Sequence, residues 1–179
     1  LTHSFSKKFF TEKFKREGIS ATYENFETEK ISLFPEIIKN NRQLAGLNVT
    51  IPYKEQVIPF LNELDEAAEK VGAVNTIKIT HKSRYTHLKG YNTDTWGFET
   101  SLKPLLHEHH TKALILGTGG ASKAIKFVLD KLSIDYISAS IEELKENEIR
   151  YEEIDKRMIS ERLLIINATP LGTFQNRNI

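Results

Sequence analysis

Apolar residues recur along this chain with two periods, and the changes of period mark out its elements. Phe5, Phe9, Phe10 and Phe14 fall at helical spacing between Ser4, suited to capping, and Gly18, suited to a stop. This predicts an N-terminal helix with its aromatic stripe in a core. Residues 22–26 read as a short strand, and 33–38 as a helix with Pro35 in its first turn. Residues 44–49 are apolar enough for a strand, which must stop by Pro52 because proline has no N–H for the ladder. Helical turns are predicted over 54–70, a strand pair over 73–80 and 85–89, and a helix over 93–106 with Trp96 and Leu102 on or near its apolar face. The second half has a plainer rhythm. It predicts a buried strand at 113–116, a helix at 119–132 and a strand at 134–140. Two polar helical pieces follow within 141–160, then a third buried strand at 163–166 ending at Asn167. Such strand–helix–strand alternation predicts a parallel sheet with right-handed crossovers. The fold expected is α/β, with a domain boundary near the polar segment 107–111.

Composition narrows the class without naming it. The chain has 179 residues, 39% apolar and 27% charged, which suits a globular protein of one large domain or two small ones. Its 25 basic and 24 acidic residues are spread evenly, with no basic stripe for a nucleic acid to follow. No apolar run approaches the ~20 residues of a membrane helix. Without cysteine there is neither a disulfide framework nor a thiolate nucleophile. A cytoplasmic protein is expected.

Candidate chemistry collects at strand ends. In Asn48-Val49-Thr50-Ile51-Pro52-Tyr53-Lys54-Glu55, one lysine stands just past a strand exit beside an asparagine and a threonine. That edge of a sheet is the usual place for a site in an open α/β fold. Partial burial near a cation or dipole adapts a lysine to proton transfer. Gly117-Thr118-Gly119-Gly120-Ala121-Ser122 follows a strand and opens a helix, the setting in which glycines let backbone N–H groups approach a pyrophosphate. Ser122 stands where the usual fingerprint has Gly or Ala. Nucleotide choice is set at the end of the next strand, by a carboxylate for NAD or an arginine for NADP. Here that end reads Ser138-Ala139-Ser140-Ile141 and offers neither, so the residues leave the preference open. His107-Glu108-His109-His110 lacks the i, i+4 spacing that would set two imidazoles on one helix face, and is read as a solvated turn. Residues 142–157 are read as a charged, solvated face.

Four strings in order then carry polar groups at segment ends: His3-Ser4-Phe5-Ser6, Asn48 to Lys54, Gly72-Ala73-Val74-Asn75-Thr76, and Gly90-Tyr91-Asn92-Thr93-Asp94. The set suits a polyhydroxylated substrate, with one polar group per hydroxyl. A lysine and an aspartate add proton-transfer capacity. Together with the glycine loop and Asn167-Ala168-Thr169-Pro170-Leu171-Gly172, the chain resembles the shikimate dehydrogenase family. That family's motifs H-S-x-S, N-V-T-x-P-x-K, G-A-V-N-T, N-T-D, G-x-G-G-A and N-A-T-x-x-G are all present, in that order.

The resemblance implies an N-terminal α/β substrate domain, residues 1–107 with a linker helix, and a Rossmann-like NAD(P)-binding domain from 108 to 179, with the active site in the cleft between them. Lys54 and Asp94 would be the catalytic pair. Ser4 and Ser6 would hold the substrate carboxylate, while Asn48, Thr50, Asn75 and Asp94 would line the substrate site. Gly117, Thr118, Gly119, Gly120, Ala121, Ser140 and Thr169 would hold the cofactor, with no metal. The reaction implied is reversible hydride transfer between shikimate and NADP, in a monomer or homodimer. The family arginine that faces the 2′-phosphate of NADP is replaced by Ile141, which keeps an NAD-using quinate/shikimate dehydrogenase as the alternative; Lys7 replaces a proline. A non-catalytic shikimate-binding relative is the alternative of another class, opposed by the presence of both Lys54 and Asp94. Family members also carry a strand before the histidine and further strands and helices after the last motif, including a substrate-contacting glutamine. Both domains are therefore expected to be incomplete here, because a parallel sheet cut at its edge exposes apolar surface.

Overall fold

The computed structural model describes residues 5–171. By its contacts the chain separates into Leu1–Leu44 and Ala45–Ile179. In the first unit, α1 (Phe5–Glu17) and α2 (Phe34–Asn40) form where the periodicity places them, α2 with Pro35 in its first turn. The aromatic stripe of α1 is not the core it was expected to be. The helix buries none of its residues, and Phe5 is 81% exposed. Its rings pack mainly on one another, and Phe10 stacks on Tyr23 with centroids 5.3 Å apart. A segment this short has too little apolar surface to close a core around the stripe, and Phe34 is its one buried hydrophobic residue among those described. The strand expected at 22–26 does not form either: that stretch has no regular secondary structure and no ladder partner among the described residues.

The second unit holds two sheets. The first has order β1-β3-β4-β2, from β1 (Gly46–Asn48), β2 (Glu63–Leu64), β3 (Thr76–His81) and β4 (Thr86–Tyr91). β3 runs antiparallel to both β1 and β4, and β2 lies parallel to β4. The helical stretch predicted over 54–70 is broken in the middle, leaving α3 (Tyr53–Gln56) and α4 (Glu66–Val71) on either side of β2. Asn62 causes the break. Its backbone N–H donates to the Leu88 carbonyl, and its Oδ1 accepts from the Leu88 N–H at 2.8 Å, which draws the chain into the sheet. Gly90 lets side chains pack directly onto β4, since a Cβ there would lie 2.6 Å from Leu61, 2.8 Å from Val74 and 2.9 Å from Leu64 of β2. α5 (Thr93–Leu102) then leaves β4 and ends in a 3-10 turn at Pro104. It buries Thr95 and Leu102, seven residues apart on one face, which turns Trp96 outward to 70% exposure, contrary to expectation.

The second sheet is wholly parallel, in the order β7-β6-β5-β8. Its strands are β5 (Lys112–Leu116), β6 (Asp135–Ser140), β7 (Glu148–Arg150) and β8 (Leu164–Asn167), with α6 (Gly120–Lys131) and α7 (Lys156–Glu161) between them. α6 buries Ser122, Ala124, Ile125, Val128 and Leu129, a helical stripe lying over the sheet. Two expectations fail here. Part of the polar stretch 141–160 becomes β7, because Glu148 to Arg150 complete the ladder on the open side of β6; pairing overrides local polarity. β8 is half-buried, with Ile165 53% exposed, and Leu163 just before it is 56% exposed. Leu102, Phe98 and Leu106 pack into the core of this sheet with Ile115, Ile125 and Leu129, so α5 is anchored on both sheets. No helix among the described residues is long and apolar enough to cross a membrane.

Candidate active site

Asn75 is the joint of the first sheet. Its carbonyl accepts from the Val49 N–H at the exit of β1, and its N–H donates to the Tyr91 carbonyl at the end of β4. Its Oδ1 accepts from the Thr93 N–H at 2.9 Å and from the Thr93 hydroxyl at 3.0 Å, at the first turn of α5. Asn92 caps that helix and is itself buried, donating to the Ala73 carbonyl at 3.0 Å. The register that pairs Asn48 with Thr76, and Thr76 with Tyr91, brings the ends of β1 and β4 beside the start of β3. Asn48 ends β1, and Thr50 sits in the turn that follows, its carbonyl accepting from the Tyr53 N–H.

Lys54 and Asp94 meet across this junction. The Lys54 carbonyl accepts from the Val74 N–H, fixing α3 against the sheet. From there Nζ donates to Asp94 Oδ2 at 2.8 Å, with the side chains 32% and 49% exposed. The pair is thus sheltered on one side and open to a ligand on the other. A donor and an acceptor of protons at that distance can pass a proton to a bound hydroxyl.

The glycine loop lies at the end of β5. Gly117 has φ +99°, and a Cβ there would stand 2.9 Å from Thr169 Cγ2 and 3.3 Å from the backbone of Ala168. Only glycine meets both conditions. Gly119 and Gly120 at the start of α6 face open space, with Ala121 exposed in the turn after them. Backbone N–H groups at the head of a twelve-residue helix with no Cβ in the way fit a dinucleotide pyrophosphate. Ser122 is buried, and its hydroxyl donates back to the Gly119 carbonyl at 2.6 Å, so its small size serves packing. Thr118 and Ser140 share a hydroxyl–hydroxyl bond of 3.1 Å that ties the loop to the end of β6. Thr169 closes the loop from the β8 side, held by the Asn167 carboxamide through its N–H and its hydroxyl.

The structure therefore gathers Asn48, Thr50, Lys54, Asn75 and Asp94 at one sheet edge and Gly117 to Ala121, Ser140 and Thr169 at another. Ser6 lies in α1 of the first unit, while Ser4 and Gly172 lie outside the described residues. Ile141 is 85% exposed at the end of β6. Sequence reasoning missed the Lys123–Glu55 ion pair, 2.6 Å, which links α6 just beyond the loop to α3 beside Lys54. No spacing rule reports a contact between residues 68 apart. The His107 and His109 rings stack, His110 meets His109 edge-on, and burial followed by its two neighbours' charge lowers the His110 pKa. No metal-binding group of side chains occurs among the described residues. A groove of about 1,090 Å³ beside α4, α5 and α6 is bordered by Asn92, Thr93 and Lys123 but by neither Lys54 nor Asp94 nor the glycine loop, so volume alone does not locate the site.

Fold and site define a chain that joins a lysine–carboxylate pair on a mixed sheet to a Rossmann-like parallel sheet with a glycine loop. Residues 1–77 match the family model described as the shikimate dehydrogenase substrate binding domain. The shikimate dehydrogenase (NADP(+)) of Staphylococcus aureus is 37% identical over 187 residues, covering 98% of this chain and 68% of that protein. The enzyme of the same name from Methanosphaera stadtmanae is 35% identical over 193 residues, covering 97% and 66%. The crystal structure of shikimate dehydrogenase 1 from Peptoclostridium difficile superposes with a TM-score of 0.78 at 34% identity, covering 100% and 66%. This chain belongs to the shikimate dehydrogenase family, and spans about two thirds of the length of these relatives.

Proposed function

We propose that this chain is the greater part of a shikimate dehydrogenase that interconverts 3-dehydroshikimate and shikimate with NADP, on the way to chorismate and the aromatic amino acids. The observation that carries this reading is the 2.8 Å contact between Lys54 and Asp94, forty residues apart in sequence. Lys54 Nζ takes the proton from the reacting hydroxyl in one direction and returns it in the other. Asp94 holds Nζ in place and shares its charge. Asn48, Thr50 and Asn75 bind the substrate's hydroxyls, and Asn75 Nδ2 has no partner among the described residues. Roles for Ser4 and Ser6 on the substrate carboxylate rest on the family resemblance alone. Residues 1–107 would serve the substrate and 108–179 the cofactor.

The residues present fit the cofactor, as the open face of Gly119 and Gly120 argues. Gly117 to Ala121 would receive its pyrophosphate, with Ser140 and Thr169 at the borders of the loop. When bound, NADP supplies the hydride acceptor or donor. NADP rather than NAD is supported by the relatives' names.

The test is reduced-nicotinamide absorbance on the full-length protein with shikimate, run with NADP⁺ and with NAD⁺. Turnover with NADP⁺ is expected. Turnover mainly with NAD⁺, or with quinate, would replace the cofactor or substrate assignment. Turnover with neither nucleotide would leave a binding protein.

A further inference from the structure

The loop that leaves β6 lacks an arginine in its own sequence, yet the structure brings one to it from the neighbouring strand. Arg150 is the last residue of β7, and its Cα partner in the parallel ladder is Ser140, the last residue of β6. Ser140 is also the residue whose hydroxyl bonds Thr118 of the glycine loop and accepts from the Glu142 N–H at 3.1 Å. Arg150 reaches over this corner, and its Nη1 donates to the Glu142 carbonyl at 2.6 Å. The guanidinium thus lies against the loop formed by Ile141 and Glu142, at the strand end where a Rossmann-like sheet reads the ribose 2′ position. Among the described residues it forms no ion pair with a carboxylate: Glu153 is occupied with the Arg150 backbone N–H, and Glu148 with Lys126. It is exposed, and one of its five N–H donors is committed to Glu142.

We infer that Arg150 recognises the 2′-phosphate of NADP in this chain, replacing from β7 the arginine that Ile141 displaces. The assignment rests on the NADP reading above. A planar, permanently charged fork beside the ribose suits a phosphate dianion better than a hydroxyl. Lys145 is the other cation of the loop, and its backbone N–H donates to the Glu148 carboxylate.

The test is calorimetric binding of 2′,5′-ADP and of 5′-AMP to the full-length protein, to Arg150→Gln, to Arg150→Lys and to Lys145→Gln, with melting curves to verify folding. Gln keeps a donor for the Glu142 carbonyl but removes the charge. Expected is a loss of about 10- to 100-fold in 2′,5′-ADP affinity for Arg150→Gln, the scale of hydrogen bonds to a charged group, with 5′-AMP changed less than about twofold. Arg150→Lys should fall between, and Lys145→Gln should match the parent. Equal losses for both nucleotides would show that Arg150 only shapes the loop, and would overturn the inference. So would an unchanged Arg150→Gln, or a loss confined to Lys145→Gln. Should Arg150→Gln not fold, Arg150→Lys alone decides, by whether 2′,5′-ADP weakens while 5′-AMP does not. If the parent binds both nucleotides equally, only this inference fails; if it binds neither, the cofactor reading fails with it.

Discussion

The two sheets build their halves of the site in opposite ways. On the mixed sheet the working groups are side chains held by other side chains: Asn75 grips Thr93, Asn92 caps α5, and Lys54 reaches Asp94. On the parallel sheet the working surface is backbone, cleared of side chains at Gly119 and Gly120 and folded back at Gly117. The first arrangement is sensitive to lost polar atoms and the second to added atoms. A substrate read hydroxyl by hydroxyl needs directional side chains, whereas a pyrophosphate is met by a row of N–H groups.

Substitutions can sharpen or break that contrast. The largest effect expected is Lys54→Ala in the full-length enzyme, with kcat lowered by about 10² to 10⁴ and KM changed little, as for a lost acid–base group. Near-native turnover would remove Lys54 from the chemistry. Next is Gly117→Ala, which adds one methyl to a left-handed residue 2.9 Å from Thr169. Strain of about 1–3 kcal/mol is expected in a denaturant titration, together with weaker dinucleotide binding. Asn75→Ala should cost less, roughly 1–2 kcal/mol, the net worth of two hydrogen bonds whose exposed Thr93 donors can turn to water. If Asn75→Ala melted with the parent, the junction would not be held by that side chain. Ser140→Ala, which unties the glycine loop from β6, should cost only about 0.5–1.5 kcal/mol.

The smallest effect expected is one of pH. Burial pushes the Glu148 carboxyl up, but hydrogen bonds from Lys126 and the Lys145 backbone, with the charges of both lysines, hold it below its ordinary 4.5. A depressed carboxylate contributes stability that is full above its unfolded value and is lost as pH falls through the folded one. Melting temperature against pH should therefore drop less below 4.5 for Glu148→Gln than for the parent. Identical acid limbs would show that the Lys126 pair adds nothing.

Much of the fold was legible because local chemistry and tertiary demand agreed. α6, β5 and β6 follow their apolar periods, and α5 starts where it was expected, capped by Asn92. Reading failed where pairing or cover decided. β7 arose from a charged stretch because β6 had a side to fill, β2 interrupted a helix because Asn62 could mimic a ladder partner, and the Phe5–Phe14 stripe found no core in its own unit.

The order of motifs by itself determined the family and put forward the lysine, the aspartate and the glycine loop as candidates, because each motif is a local solution to a local geometric problem. Only the tertiary structure decided that Lys54 touches Asp94, that Lys123 reaches Glu55, and that Arg150 stands over the loop where Ile141 has no charge to offer. Those are meetings of residues far apart in sequence. Strand register sets them, and no single stretch of chain encodes it.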